Sequence, residues 1–329
     1  MKIPVLATIA IAVSAAAYAQ SDQERAWSPP RTSWGDPLIE GPYTNKDEYG
    51  TPLERPDEFA GKRLEDFGPA EMAALRAERQ QRALETAASI GGTAEEDTGA
   101  GPPHWYEHLE AENSQPWFVI EPADGKIPAL TEAARQRQEA QREARSKRAA
   151  PDSYTDMSDY ERCISLGMPG SMMPGVYGSV YEITQAPGFV AIRHEMIHET
   201  RVIDLAGREH VDEGVRTYMG DAIGRWDGDT LVVETTNFKG ATGIGLNGNG
   251  LPTTTAIRLT ERFTRVADDQ VDYEVTVDDP GLYTAPFTIA MPLTTQPGYR
   301  VLPYECHEGN HAVPNILSAA RAEEAAAAK

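Results

Sequence analysis

The feature that most constrains this chain is a strict period of two in its second half. In the run Asp272 to Asp278, Tyr273, Val275 and Val277 fall on one face and the polar residues on the other. Successive side chains of an extended strand point to opposite faces, so this run predicts a strand with one buried side. The polar face suits either solvent or a polar cavity. Runs rich in β-branched and aromatic residues recur at Val180–Thr184, Phe189–Ile192, Thr200–Leu205, Thr230–Phe238, Ala256–Val266, Phe287–Leu293 and Arg300–Glu305, and each predicts a strand. Pro187-Gly188, Trp226-Asp227-Gly228-Asp229 and Asp268-Asp269 supply the turns between them.

Roughly eight strands in about 150 residues, joined by short connections, predict one antiparallel barrel or sandwich. A lipocalin-like barrel is the favoured form, because a small closed barrel naturally holds one small ligand. This core domain is expected to span 156–315. Residues 20–155 have another texture: Ser28-Pro29-Pro30, Asp36-Pro37, Gly41-Pro42, Gly101-Pro102-Pro103, Pro116, Pro122 and Pro128 oppose helix and central strand alike. They predict an extended N-terminal arm with two solvated helices, Pro69 to about Ala88 and Thr131 to Ala149. Trp27, Trp34, Trp105, Tyr106, Trp117 and Phe118 are the expected anchors of the arm on the core. Residues 316–329, rich in Ala and Glu, predict a frayed C-terminal helix.

The first residues match a secretory signal peptide, 1–19. Lys2 gives the positive start, Ile3 to Ala17 the apolar stretch, and Ala17-Tyr18-Ala19 the small-x-small cleavage pattern. A periplasmic or secreted location is therefore expected, with no membrane span. The net charge of −21 argues against nucleic acid and anionic lipid, both of which select basic surfaces. Cys163 and Cys306 are the only cysteines of the chain. In an oxidising compartment a lone pair predicts a disulfide, here closing a loop worth about 4–5 kcal/mol in the chain-entropy model.

His194-Glu195-Met196-Ile197-His198 matches HExxH, but zinc chemistry needs this motif on a helix, where the two His lie about 6 Å apart along the axis. The β-branched flanks predict a strand instead, with the two His about 13 Å apart, too far to share one tetrahedral metal. No metal and no organic cofactor are expected. Gly243 to Gly248 matches GxGxxG, yet Pro252 and the strand from Ala256 deny it the helix a dinucleotide fingerprint requires. A mobile Gly/Asn loop at a barrel mouth is the expectation.

Polar residues crowd two otherwise β-like places, Arg193 to Arg201 and Tyr304 to Asn310. Burying such groups singly costs several kcal/mol, about the scale of an unpaired ion, so a shared polar pocket is expected. On an uninterrupted strand Glu195, Glu199 and Arg201 would share one face, and His194 and His198 the other. The candidate catalytic set is His198 or His307 as base, Glu195 or Glu308 as its orienter, and Arg201 as the cation for developing negative charge. Tyr304, Asn237, Tyr273 and Asn310 are the candidate substrate-binding residues.

Arg162-Cys163-Ile164, Pro169-Gly170-Ser171-Met172, Glu195-Met196-Ile197-His198, Gly224 to Phe238 and Cys306-His307-Glu308-Gly309-Asn310 together resemble a large, mostly uncharacterised family of exported bacterial proteins of acidobacterial and sphingomonad type. The resemblance covers most of 160–321 and implies export and one coherent domain, but no reaction. Two functions are therefore expected in parallel. One is a cofactor-independent acid–base lyase acting on an aromatic or phenolic compound. The other is a periplasmic binding or carrier protein for a small-molecule ligand.

Overall fold

The computed structural model describes residues 27–90, 114–147, 150–175, 177–240, 243–244 and 251–328. The expected leader at 1–19, Trp105, Tyr106 and Gly245 to Gly248 lie outside the described residues. The arm contributes β1 (Gly41–Thr44), α1 (Pro69–Ile90), β2 (Val119–Glu121) and α2 (Glu132–Ser146). Then come β3 (Val180–Ala186), β4 (Phe189–His194), β5 (Thr200–Asp204), β6 (Asp221–Asp227) and β7 (Thr230–Thr236). The short ribbon β8 (Gly243–Ile244) and β9 (Leu251–Pro252) precedes β10 (Arg258–Arg265), β11 (Gln270–Asp278), β12 (Phe287–Thr295) and α3 (Ala312–Ala327).

The main sheet runs β1-β3-β4-β5-β6-β7-β10-β11-β12 and closes on itself through β1 and β12. It is a nine-stranded barrel of the expected mostly β class, with β2 added beside β1 on the free edge of β12. All neighbours are antiparallel except β5 and β6, which are parallel and meet at one register position, Asp204 opposite Ile223. A parallel neighbour cannot be reached by a hairpin, so Leu205 to Gly220 crosses over between them.

Alternation fills the lumen. Leu259, Glu261 and Phe263 of β10 stand against Val277, Val275 and Tyr273 of β11, and all six are buried. Full burial of such an apolar side chain contributes about 1.5–3 kcal/mol, so this shared inner face is the main source of stability. Tyr43, Tyr181, Tyr273, Phe238, Phe263 and Phe287 supply the largest fully buried side chains; the barrel is filled largely by its own residues.

Three expectations change. The barrel is not confined to 156–315, because β1, which the Gly41-Pro42 pair had disguised as arm, is the strand that closes it. Arg300 to Glu305 is not a strand; it has no ladder partner among the described residues and is held by Tyr299 and Leu302 on Glu195. Trp27 and Trp34 are exposed rather than anchoring, whereas Trp117 and Phe118 are buried as expected. Around Trp117 the arm forms its own small cluster with Phe59 and Phe67. Helix α1 is tied to it by Arg79, whose Nη2 donates to the Pro116 carbonyl at 2.7 Å. No helix among the described residues is long and apolar enough to cross a membrane.

Candidate functional site

The barrel lumen carries a polar cluster where apolar residues would be expected. Arg201, on the inward face of β5 beside Ile203, donates from both terminal nitrogens to the Glu261 carboxylate at 2.6 and 2.7 Å. The two side chains are 2% and 0% exposed. Tyr273, opposite Phe263 on β11, donates its hydroxyl to the same carboxylate at 2.9 Å. Burial pulls the Arg201 guanidinium down, but the Glu261 charge and hydrogen bonds outweigh it and hold it above its ordinary value. Tyr273 is pushed well up, first by burial and then by the Glu261 charge, so it is a donor at every physiological pH.

His194 ends β4 and faces the same interior, its ring edge-on to Tyr181 at 5.4 Å. Burial foremost, then the positive charge of Arg201, lowers its pKa to about 3, so the ring is neutral. Its Nδ1 lies 3.1 Å from the Ser171 carbonyl. A carbonyl only accepts, which places the proton on Nδ1 and leaves Nε2 an acceptor. Nε2 of His194, Nε of Arg201 and Oγ1 of Thr235 are buried with no hydrogen-bond partner among the described residues. Buried polar atoms are nearly always paired, so orphaned nitrogens on Arg201 and on His194, whose ring feels the Arg201 charge, mark a place built for something besides packing.

Through Arg201 this cluster reaches a sparsely paired part of the wall. β5 and β6 pair at a single position, and beside it lies an opening of about 340 Å³. Glu199 to Val202 line one side; Thr217 to Gly220 and Ala222 line the other, with Arg201 among the lining residues. Gly220 has φ +73°, and a Cβ there would stand 2.6 Å from the Thr235 methyl, so only glycine lets the crossover approach the wall this closely. The crossover itself is clamped. Asn237, at φ +61°, donates to the carbonyls of Val211, Asp212 and Val215. Asp221 takes Arg208, His210 and the Val211 amide, and its carboxyl is held far below the usual range, chiefly by Arg208.

The structure therefore brings Arg201 and Tyr273 together and separates them from the other candidates. Glu195 is buried outside the cluster, accepting from the Tyr299 hydroxyl at 2.5 Å and the Leu302 amide at 3.3 Å. His198 is half-exposed, with Nδ1 at 3.1 Å from the Tyr304 carbonyl and 3.8 Å from Glu305. Tyr304 stacks obliquely on Tyr177, while His307 and Glu308 are exposed. Asn310 has a structural post, donating to the Glu161 carbonyl at 2.8 Å beside Cys163. Asn237 is the crossover clamp rather than a ligand contact. The expected disulfide Cys163–Cys306 is present, with Cα atoms 5.5 Å apart. It ties the Tyr304–Asn310 segment to the chain ahead of β3, away from the lumen.

The run His194 to His198 is neither the expected strand nor a helix. After β4 ends at His194, Met196–His198 forms a tight turn with Ile197 and His198 at positive φ, and β5 starts afresh at Thr200. That turn resets the alternation, so His194 and Arg201 both face inward, contrary to the split of faces an unbroken strand would impose. The residues the sequence reading left out of the site are Glu261, His194 and Thr235. Glu261 was visible in principle: an acid spaced two residues from Leu259 and from Phe263 sits on the apolar face of its strand. Among the described residues no group of three or more His, Cys, Asp or Glu is arranged to hold a metal.

No protein-family model matches the chain, and no curated protein matches it. Among solved structures it is similar to the fluorescent protein UnaG, at 12% identity over 42% of this chain and 87% of that one, with a TM-score of 0.23. A mutant of UnaG matches at 13% identity over 41% and 86%, with a TM-score of 0.22. Likeness at this level assigns neither ligand nor chemistry.

Proposed function

We propose that this chain binds a compact, uncharged small molecule with a polar aromatic head, such as a phenol or an aromatic amide, at the opening between β5 and β6. One observation carries the reading: Arg201 lines a 340 Å³ opening, Thr235 stands against its rim residues Gly220 and Ala222, His194 feels the Arg201 charge, and Arg201 Nε, His194 Nε2 and Thr235 Oγ1 are all buried without a partner among the described residues. Arg201 and Glu261 neutralise each other, so the floor offers a donor, an acceptor and a hydroxyl rather than net charge. A volume of this size falls at the small end of ligand pockets, about 300–1,000 Å³. Tyr181, Tyr273 and Phe263 around the cluster favour a flat aromatic partner.

Binding is favoured over turnover. A lyase needs a tuned acid and base converging on one reacting group, whereas His198, His307 and Glu308 do not line the opening. The disulfide supports action in an oxidising compartment outside the cytoplasm.

The test is native mass spectrometry and calorimetry of the purified protein with a mixture of phenols and aromatic carboxamides. One-to-one retention of an unchanged compound is expected, and Met219→Trp, which fills the opening from its rim, should abolish it while circular dichroism stays native. Conversion of a retained compound to product would replace this reading by the lyase; no retention at all would remove it.

A further inference from the structure

A larger cleft lies elsewhere, on the outside of the barrel. It encloses about 490 Å³ between the arm and the outer face of β11 and β12. Its two walls carry opposite charge. From the arm come Arg55, Lys62, Arg63 and Arg76; from β2 and β11 come Glu121, Asp272 and Glu274. Some of these are already matched: Lys62 pairs with Glu71, and Arg63 with Glu65.

The others are not. Arg55 spends Nη1 on the carbonyls of Lys62 and Ala123 and lies over the Trp117 ring at 5.8 Å. Arg76 donates from Nε to the Ser114 carbonyl at 3.0 Å. Neither guanidinium has a carboxylate partner among the described residues, and each keeps nitrogens free to donate. Across the cleft, Glu121 and Glu274 likewise have no ion-pair partner among the described residues. Arg262 stands opposite Glu274 in register, but its guanidinium turns to Asp227 at 3.5 Å. Two unmatched cations and two unmatched anions thus line one cleft, with no ion pair between them among the described residues.

The wall is built to stay so. Arg55 is 9% exposed, and a side chain at Gly125, where φ is +66°, would strike its Cβ at 2.6 Å. Gln115 braces the cleft from below, donating its Nε2 to the Trp117 and Ala290 carbonyls. A fixed guanidinium is a fork for carboxylate or phosphate, and a carboxylate accepts from an ammonium equally well.

We propose that this cleft is a second binding site, separate from the β5–β6 opening, for a zwitterionic small molecule of free amino acid or short peptide size. Arg55 and Arg76 take its anionic group, and Glu274 with Glu121 takes its ammonium. A ligand of only one charge satisfies one wall and leaves the other unmatched.

The experiment is calorimetry of the full chain against a panel of free amino acids and glycyl dipeptides, followed by N-acetyl and amide derivatives of whatever binds. The expected result is one-to-one binding of a zwitterion, weakened about tenfold or more when either charge is blocked, the scale of one charge-assisted hydrogen bond. Arg76→Gln and Glu274→Gln, both at the surface and checked for native circular dichroism, should weaken it similarly. Met219→Trp should leave it unchanged, which separates this site from the one in the wall. The proposal is overturned if no panel member binds at about 10 mM, if singly charged derivatives bind as well as the parent, or if neither cleft variant changes the affinity.

Discussion

Replacing Arg201 by methionine would leave the Glu261 carboxyl at the centre of the barrel with only the Tyr273 hydroxyl to hold it. Methionine approximates the length of the arginine stem, so the change removes charge and hydrogen bonds more than volume. Because both partners are almost wholly buried, at 2% and 0% exposure, water cannot replace the lost contacts. Breaking a buried pair from one side costs about 3–5 kcal/mol, a large share of the 5–15 kcal/mol that holds a typical domain together. Removing the whole cluster is a different perturbation. The triple variant Arg201→Met, Glu261→Met, Tyr273→Phe leaves no orphaned charge, and apolar replacement of buried ion pairs is often neutral or stabilising. Equilibrium urea unfolding followed by tryptophan fluorescence, with the disulfide intact, measures both. The expected order is wild type and triple variant close together, with the single variant well below. A single variant that loses less than about 1 kcal/mol, the scale of an exposed pair, would refute the burial argument. So would a triple variant as unstable as the single one. If the triple variant is stable yet binds nothing, the cluster is retained for binding rather than for stability.

Other consequences are as specific. His194 titrates at about 3 in the folded chain against about 6.5 unfolded. As pH falls below about 6.5 the unfolded chain takes the proton first, so His194 removes stability on acidification, about 3 kcal/mol by pH 4. His194→Gln should lose that much less over the same range in urea titrations. Glu48 is the opposite case: burial raises its carboxyl to about 8, although Thr51 and the Gln115 amide donate to it. The folded chain keeps a proton that the unfolded chain gives up near 4.5, so its stabilisation is complete below that pH and fades as pH rises towards 8. Glu48→Gln should flatten that decline, measured as Tm against pH. Opening Cys163–Cys306, which spans 143 residues, should cost about 5 kcal/mol in the chain-entropy model. A reduced, alkylated protein as stable as the native one would contradict that figure.

The strands that sequence made legible are those whose alternation is clean, such as β10, β11 and β12, because one face meets the lumen and the other solvent. β6 escaped for a physical reason. Its Gly224 breaks the apolar pattern, yet a Cβ there would stand 2.8 Å from Ile203 and 2.9 Å from Leu205, so the close approach of β5 demands glycine. β1 was hidden by Gly41-Pro42, residues usually read as breakers but tolerated in a short strand. For the site, Arg201 and Tyr273 could be picked out by type, but their partner Glu261 could not be assigned to them. The pairing depends on β5 and β10 facing one another across the lumen, information that no local period contains. The two polar segments around His198 and His307 do meet, through His198 with Tyr304 and Glu305 and through Cys306 packed against Met196 and Ile197. Yet His307 and Glu308 stay exposed and Arg201 turns inward, because the turn at Met196–His198 sets β5 afresh, a break that no local period announces.

The central claim, a ligand taken at the β5–β6 opening, is tested most directly by NMR of the chain labelled at its methionine methyls. Met219 lines that opening, whereas Met72 stands on α1 in the arm, so the second serves as a control. Titration with the phenol and aromatic carboxamide mixture should move the Met219 methyl saturably and leave Met72 in place. A Met219 signal that never shifts, or a response confined to Met72, would contradict the assignment.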